Sequence, residues 1–185
     1  MITRAPLRRG GQLIDEAGLT VTWSVAEGRR GRRWRWAVGE RRAAIVVHTL
    51  ELDPAGRFVR LESASGGGLL TLHREADGSA HGNRVTEAGV DHLAIPSPAP
   101  QAALVGSGVL GVAALITTLA PSDGTVSLDV LEVFDDLGLR ITSCTIRRPD
   151  GGVWEVRTDV AVRLARLDAD RLPVDAGESW PLESA

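Results

Sequence analysis

With 185 residues, the chain has the length of one domain with a single substantial core. Hydrophobic residues make up 43% and charged residues 24% of it, which excludes an intrinsically disordered protein. The formal net charge of -3 excludes a general attraction to nucleic acid or to anionic membranes, although every basic residue is an arginine.

The N-terminal region and the cysteine content predict the compartment. Residues 1–13 carry three arginines but lack the apolar stretch of a secretory signal. Cys144 is the only cysteine, so no intrachain disulfide can form and a reducing compartment fits. We expect a cytoplasmic protein with one domain over residues 1–185, in which residues 1–18 are the candidate for a poorly ordered or loosely packed segment.

An Arg/Trp-rich stretch covers residues 29–42. In a strand, Trp34 and Trp36 share one face while Arg33 and Arg35 share the other. Arginines and tryptophans can bind phosphates and stack on bases, which is one interpretation. Because the rest of the chain is acidic, we favour a hairpin with the tryptophans in the core and the arginines in solvent. Nucleic acid is therefore an unlikely partner, but an arginine at a strand edge could bind an anionic head group.

The next segments predict two hairpins. Residues 44–52 and 57–63 flank the turn sequence 53–56, and 69–74 and 79–85 flank Asp77-Gly78. In the second hairpin a two-residue turn pairs Arg74 with His81, which places His73 and His81 on opposite faces and argues against a metal site. In the first, pairing of Leu52 with Arg57 predicts an apolar face, with a core histidine, made of Val46, His48, Leu50, Leu52, Val59 and Leu61.

A charge-free run over residues 93–122 contains Gly106-Ser107-Gly108-Val109-Leu110-Gly111, which has the G-x-G-x-x-G pattern of a dinucleotide-binding loop. Residues 102–105 could be its strand and 112–119 its helix, but hairpins flank the run and no further strand–helix–strand unit follows. Residues 102–120 could also span a membrane, but they lack flanking basic anchors. We favour glycines that permit close packing where the chain passes through the interior of a β-roll.

The C-terminal part continues the strand pattern. Residues 125–134, 139–148, 153–157 and 160–165 alternate apolar and polar side chains, and a turn at 149–152 joins two of them. About ten strands are expected in total. The sequence therefore predicts an all-β fold, a single-domain curved antiparallel sheet or spiral β-roll with at most a short helical segment.

Residues suited to catalysis do not form a recognisable motif. Ser107 lacks the G-x-S-x-G context of a nucleophile elbow. The acid pairs Asp135-Asp136 and Asp168/Asp170 lie in turn-like sequence, where solvated carboxylates are common. We expect no catalytic residues, no metal and no cofactor, and favour a protein that is not an enzyme.

The order of segments in the second half is similar to that of a known family. It runs through Val126–Leu131, Leu139–Ile141 and Trp154–Arg157, and closes with Val162–Val174 and Trp180. This order resembles the bacterial glycolipid-binding family, a spiral β-roll that ends in a strand, an Asp-containing turn and a late Trp. The family has Gly at the turn position that Arg171 occupies here. The resemblance implies a β-roll that binds a lipid or glycolipid, and it assigns no ligand-binding residue.

We therefore expect a non-enzymatic binding protein for an amphipathic or apolar small molecule such as a lipid or glycolipid. The expected ligand-binding residues are Trp34, Trp36, Arg33, Arg35 and Leu110. One alternative is a structural or interaction module with a filled core. Another is a nucleotide-binding protein that uses the loop 106–111. We expect no membrane span, and an exposed β edge could pair two copies into a homodimer.

Overall fold

The computed structural model describes residues 7–15, 17–40, 43–106, 108–119, 124–148, 152–174 and 179–181. They form an all-β fold with one short helix, as the sequence predicts. The strands belong to two curved sheets around one core. The elements are β1 (Arg8–Ile14), β2 (Thr20–Gly28), β3 (Gly31–Glu40), β4 (Ala43–Leu52), β5 (Phe58–Ser65), β6 (Gly68–Arg74), β7 (Ala80–Thr86), β8 (Gly89–Ile95), β9 (Ala102–Val105), α1 (Val109–Leu119), β10 (Thr125–Val133), β11 (Leu139–Arg147), β12 (Val153–Arg157), β13 (Val162–Arg166) and β14 (Ser179–Pro181).

The large sheet is an antiparallel meander in the order β14-β1-β2-β3-β4-β5-β6-β7-β8. Its inner face carries apolar side chains that lie directly opposite one another on successive strands. One such row joins Val25, Trp34, Leu50, Leu61 and Leu72, all of them buried. The region 1–18 contributes β1, which pairs with β2 and β14. Residues 1–6 and 16 lie outside the described residues.

The register of the hairpin between β4 and β5 differs from the prediction. Leu52 lies opposite Phe58 rather than Arg57, and the register shifts between Glu51 and Leu52. The extra residue of this bulge turns the Val59 side chain into solvent and the Phe58 ring into the core. The predicted inward position of Val59 is therefore wrong, while the rest of the predicted apolar face is buried.

The hairpin between β6 and β7 also differs. Its turn has five residues, because the Glu75 N–H donates to the Ser79 carbonyl and the Gly78 N–H donates to the Glu75 carbonyl. Gly78 has φ 85°, the left-handed conformation that such a turn requires. Arg74 consequently pairs with Ala80, and His73 pairs with His81. The prediction that the two imidazoles lie on opposite faces is wrong.

The small sheet has the order β13-β12-β11-β10-β9, and its edge strand β9 runs parallel to β10. The chain passes from β9 to β10 through α1, so these three elements form a strand–helix–strand unit. The sequence-based argument that flanking hairpins remove this context is wrong. Antiparallel pairing of the neighbours does not prevent one parallel crossover, and all four residues of β9 are fully buried.

Helix α1 occupies the core that the two sheets share. Its side chains from Leu110 to Ile116 are at most 1% exposed, and it is apolar on all sides, as expected of a helix enclosed by protein. Its two polar residues, Thr117 and Thr118, donate to carbonyls one turn earlier. Among the described residues, no helix is long and apolar enough to cross a membrane.

Candidate functional site

The five residues expected to bind a ligand do not lie together. Trp34, Trp36 and Leu110 are buried in the core, at 0%, 3% and 1% exposure. Arg33 and Arg35 are exposed on the opposite face of β3, where the Arg33 guanidinium lies 3.5 Å from the Glu51 carboxylate. These two arginines therefore point away from the side of β3 on which the tryptophans pack.

The arginine that shares the tryptophan face is Arg32, which the sequence analysis did not select. It lies two residues before Trp34, so the alternation of side chains in a strand predicts that the two side chains share a face. Its side chain is only 14% exposed. The Nε atom donates to the Glu27 carboxylate at 3.0 Å, and Nη1 donates to the Thr117 hydroxyl at 3.4 Å and to the Asp170 carbonyl at 3.3 Å. Arg32 thus joins β3, the end of α1 and the turn after β13.

A surface cleft of about 340 Å³ opens beside this guanidinium, and we call it the Arg32 cleft. Its volume lies at the small end of the range for ligand pockets. Apolar side chains and glycine backbone form part of its wall, and hydroxyl and charged groups form the rest. The lining residues are Glu27, Gly28, Gly31, Arg32, Leu52, Asp53, Pro54, Ala55, Gly56, Thr117 and Thr118.

The Arg171 guanidinium lies near those of Arg32 and Arg148. Arg148 and Arg171 both lie over the Trp154 ring, with 5.5 and 5.2 Å between the guanidinium carbon and the ring centroid. Arg171 also donates to the Ile116 carbonyl at 3.4 Å. Burial lowers the pKa of Arg171, and the positive charges of Arg148 and Arg32 lower it further.

The backbone of Arg171 has a left-handed conformation that recurs in this fold. Arg171 is the fourth residue of a five-residue turn of the kind that Gly78 makes, and its φ is 65°. Leu137, with φ 68°, has the same position in the turn 134–138. A non-glycine residue in this conformation costs on the order of 1 kcal/mol, and its occurrence at Leu137 shows that such strain does not by itself mark a functional site.

A second polar group lies at the opposite end of the core. His48 is fully buried, with Nδ1 2.8 Å from the Ser63 hydroxyl and Nε2 3.0 Å from the Asp135 carboxylate. Both ring nitrogens are therefore satisfied, and the imidazole links the large sheet to the turn between β10 and β11. The elements of a Ser-His-Asp triad are present, but Ser63 has 0% exposure and no substrate can reach its hydroxyl.

The glycine-rich loop packs against the same group. Gly106 has φ 68°, and a Cβ atom added there would lie 3.0 Å from the Asp135 carboxylate and 3.1 Å from His48 Nε2. A Cβ added to Gly111 would lie 2.0 Å from the Val105 carbonyl oxygen. Gly106 and Gly111 therefore allow close approach of β9, α1 and the His48 side chain. The space beside Gly106 that a pyrophosphate would need holds a carboxylate.

A buried ionic network lies on the inner face of the small sheet. Glu132 is 1% exposed and accepts from Arg140 at 2.9 Å and from Arg163 at 2.8 Å, while Arg140 also donates to Asp159 at 3.1 Å. Cys144 lies close to this network. These charges are paired, which suits a structural role. Within the part of the chain that the structure describes, no group of three or more His, Cys, Asp or Glu side chains is arranged to hold a metal ion.

Comparisons with known proteins support the fold alone. No family model matches the chain, and no curated protein matches it either. A solved structure from Pseudomonas aeruginosa, described as a DUF1089 family protein, is similar to it with a TM-score of 0.52 at 14% sequence identity. The similarity covers 95% of this chain and 92% of that one, so it extends over nearly the whole β-rich fold.

Proposed function

We propose that this protein is a non-enzymatic binding protein for an amphipathic anion, such as an acidic lipid or glycolipid, and that the Arg32 cleft holds the head group. The observation that carries the proposal is Arg32, whose guanidinium lines the cleft and whose positive charge, with that of Arg148, adds to the effect of burial in lowering the pKa of Arg171. Arginine pairs with carboxylates and phosphates through two parallel hydrogen bonds, which suits an anionic head group.

In this proposal the ligand binds at the surface rather than inside the roll, because the core is filled. Because α1 occupies the interior, an acyl chain has no space beside Trp34 and Trp36, and both side chains act as core residues in this proposal. Leu52, Pro54 and Ala55 supply the apolar part of the cleft. The inaccessible hydroxyl of Ser63 favours binding over hydrolysis.

Calorimetric titration with decyl phosphate tests the proposal, with decyl glucoside and ATP as comparison ligands. We expect saturable binding of decyl phosphate and weaker binding of the uncharged glucoside. Arg32→Gln removes a charge-assisted contact of about 1.5–3 kcal/mol and should weaken binding about 10- to 100-fold. Arg33→Gln, which removes the same charge from the opposite face, should change the affinity less than about two-fold.

Three outcomes would overturn this function. The binding of decyl phosphate could fail to reach saturation. Arg32→Gln and Arg33→Gln could also weaken binding equally, which would indicate that surface charge alone attracts the ligand. ATP could bind in place of decyl phosphate with no effect of Arg32→Gln, which would favour the loop 106–111 as a nucleotide site. Native mass spectrometry of protein purified from its own host gives an independent check, since a co-purified lipid mass supports the proposal.

A further variant separates binding from stability. Arg171→Gly relieves the backbone strain and should raise the free energy of unfolding by about 0.5–1 kcal/mol. It also removes a cation from the site and should weaken decyl phosphate binding. If both stability and affinity fall, Arg171 serves to hold the end of α1, and the interaction-module alternative with a filled core is favoured.

The setting of the protein is also part of the proposal. The lone cysteine, Cys144, is buried and suits a reducing compartment, which we take to be a bacterial cytoplasm.

In the large sheet β8 pairs with β7 and forms an edge, at which the strand of a second copy could add to give a homodimer. Light scattering across a dilution series tests the dimer, and a constant monomer mass would contradict it.

A further inference from the structure

The register of the hairpin between β6 and β7 brings two histidines together on the outer face of the large sheet. His73 and His81 lie directly opposite each other on the two strands. Their ring centroids are 6.1 Å apart, and the ring planes are tilted by 31°. The His81 side chain is 60% exposed, so an ion can reach this pair from solvent.

A carboxylate orients one of the two imidazoles. His81 Nδ1 lies 3.1 Å from the Glu75 carboxylate. A negative charge beside Nδ1 favours the neutral tautomer with its proton on that atom, in which the Nε2 lone pair can bind a metal ion. Metal-binding histidines commonly donate their other N–H to a carboxylate in this way.

The groups on the flanking strands leave the pair accessible. Arg60 lies opposite His73 on β5, but its guanidinium is paired with the Glu62 carboxylate. Ala94 lies opposite His81 on β8 and adds neither charge nor bulk. The charge of Arg60 is therefore already neutralised by a partner on its own strand.

We propose that His73 and His81 form a surface site for a divalent transition-metal ion, with Glu75 as the group that orients His81. The protein supplies two imidazole ligands and water fills the other positions, since no set of three ligand residues occurs among the described residues. Such an open site should follow the general affinity order, with Cu²⁺ bound more tightly than Ni²⁺ or Zn²⁺. The site is independent of the Arg32 cleft.

Calorimetric titration of the full chain with CuCl₂ and ZnCl₂ tests this site, with electron paramagnetic resonance of the Cu²⁺ complex. We expect one ion per chain and a spectrum with two imidazole nitrogens. His73→Ala and His81→Ala should each weaken Cu²⁺ binding at least about 10-fold, and Glu75→Gln should weaken it about 10-fold. Binding should also weaken in acid, because a protonated imidazole cannot be a ligand.

His92→Ala is the matched control, because His92 is an exposed histidine on β8 whose ring bonds to Asn83. It should leave the affinity and the spectrum unchanged. Since the altered side chains face solvent, circular dichroism should show that every variant folds. Absence of saturable Cu²⁺ binding, or binding that survives in the double variant His73→Ala/His81→Ala, would overturn the site. Unchanged affinity in Glu75→Gln would remove the orienting role.

Discussion

Stability at alkaline pH should depend on Cys144, whose side chain is buried at 1% exposure on β11. Burial raises the pKa of its thiol from 9.0 to about 11, with Arg163 opposing and Glu132 adding to the effect. The unfolded chain therefore ionises first, while the folded thiol stays neutral. The protein keeps its full free energy of unfolding below pH 9.0, and this free energy falls as the pH rises towards about 11.

The expected loss follows from this difference in pKa. It corresponds to at most about 3 kcal/mol at about 1.36 kcal/mol per pKa unit. We expect a loss of about 2 kcal/mol at about pH 10.5, because the full loss is reached only above the pKa of the folded thiol, about 11. The composition isolates the effect, since the chain contains no lysine and no tyrosine that would titrate in the same range. Arginine remains protonated there.

Urea denaturation at about pH 8 and about pH 10.5, on the wild type and on Cys144→Ala, measures the effect. At about pH 8 the variant should be about 1 kcal/mol less stable than the wild type, because a small buried group is removed. Its stability should be nearly independent of pH, whereas the wild type loses about 2 kcal/mol, so at about pH 10.5 the variant should be the more stable of the two. Equal alkaline losses in the two proteins would refute the reasoning.

The remaining predictions concern the close packing around the glycine-rich loop. Gly111→Ala should destabilise the fold by about 1–3 kcal/mol or more, because the new methyl group would collide with the Val105 carbonyl. Gly108→Ala should change stability by less than about 0.5 kcal/mol, because no atom lies within 4 Å of its added Cβ. Equal urea midpoints for the two variants would contradict this. His48→Leu should lower the free energy of unfolding by about 2–4 kcal/mol, because it leaves the buried Ser63 hydroxyl unpaired. Asp135→Asn keeps an acceptor for His48 and should lower it by less than about 1 kcal/mol. A larger loss in Asp135→Asn than in His48→Leu would contradict this order.

The alternation of side chains made most of the large sheet predictable. Val46, His48 and Leu50 are buried, as predicted. The alternation within one strand is sufficient for this prediction, because it does not require the neighbouring strands to be known. The errors arose where one residue shifts the register. One error is the bulge that exposes Val59, and the other is the five-residue turn that brings His73 opposite His81. Both depend on local backbone hydrogen bonds. The sequence permits several turn lengths, so it does not specify which of these hydrogen bonds form.

The candidate site was harder to predict because its parts are far apart in the chain. The Arg32 guanidinium meets Thr117, 85 residues later, and Asp170, 138 residues later. No local pattern relates such segments. The alternation in β3 does predict that Arg32 shares a face with Trp34, so the sequence contains the signal that places Arg32 on the inner face. The parallel pairing of β9 with β10 was likewise set by the shared core, which the flanking sequence does not reveal.

The end of helix α1 explains why cations gather beside the cleft. The last carbonyl groups of a helix lack intrahelical partners and carry partial negative charge, so they attract guanidinium groups. Arg171 uses one N–H on the Ile116 carbonyl, and Arg32 reaches the neighbouring Thr117 hydroxyl. Capping the helix therefore accounts for the position of these two residues. The φ of 65° at Arg171 does not require a bound anion, because Leu137 adopts φ 68° at the same position of a turn of the same kind. The proposal of an anionic ligand therefore depends on Arg32, which lines the cleft, and on the positive charges of Arg32 and Arg148 near Arg171.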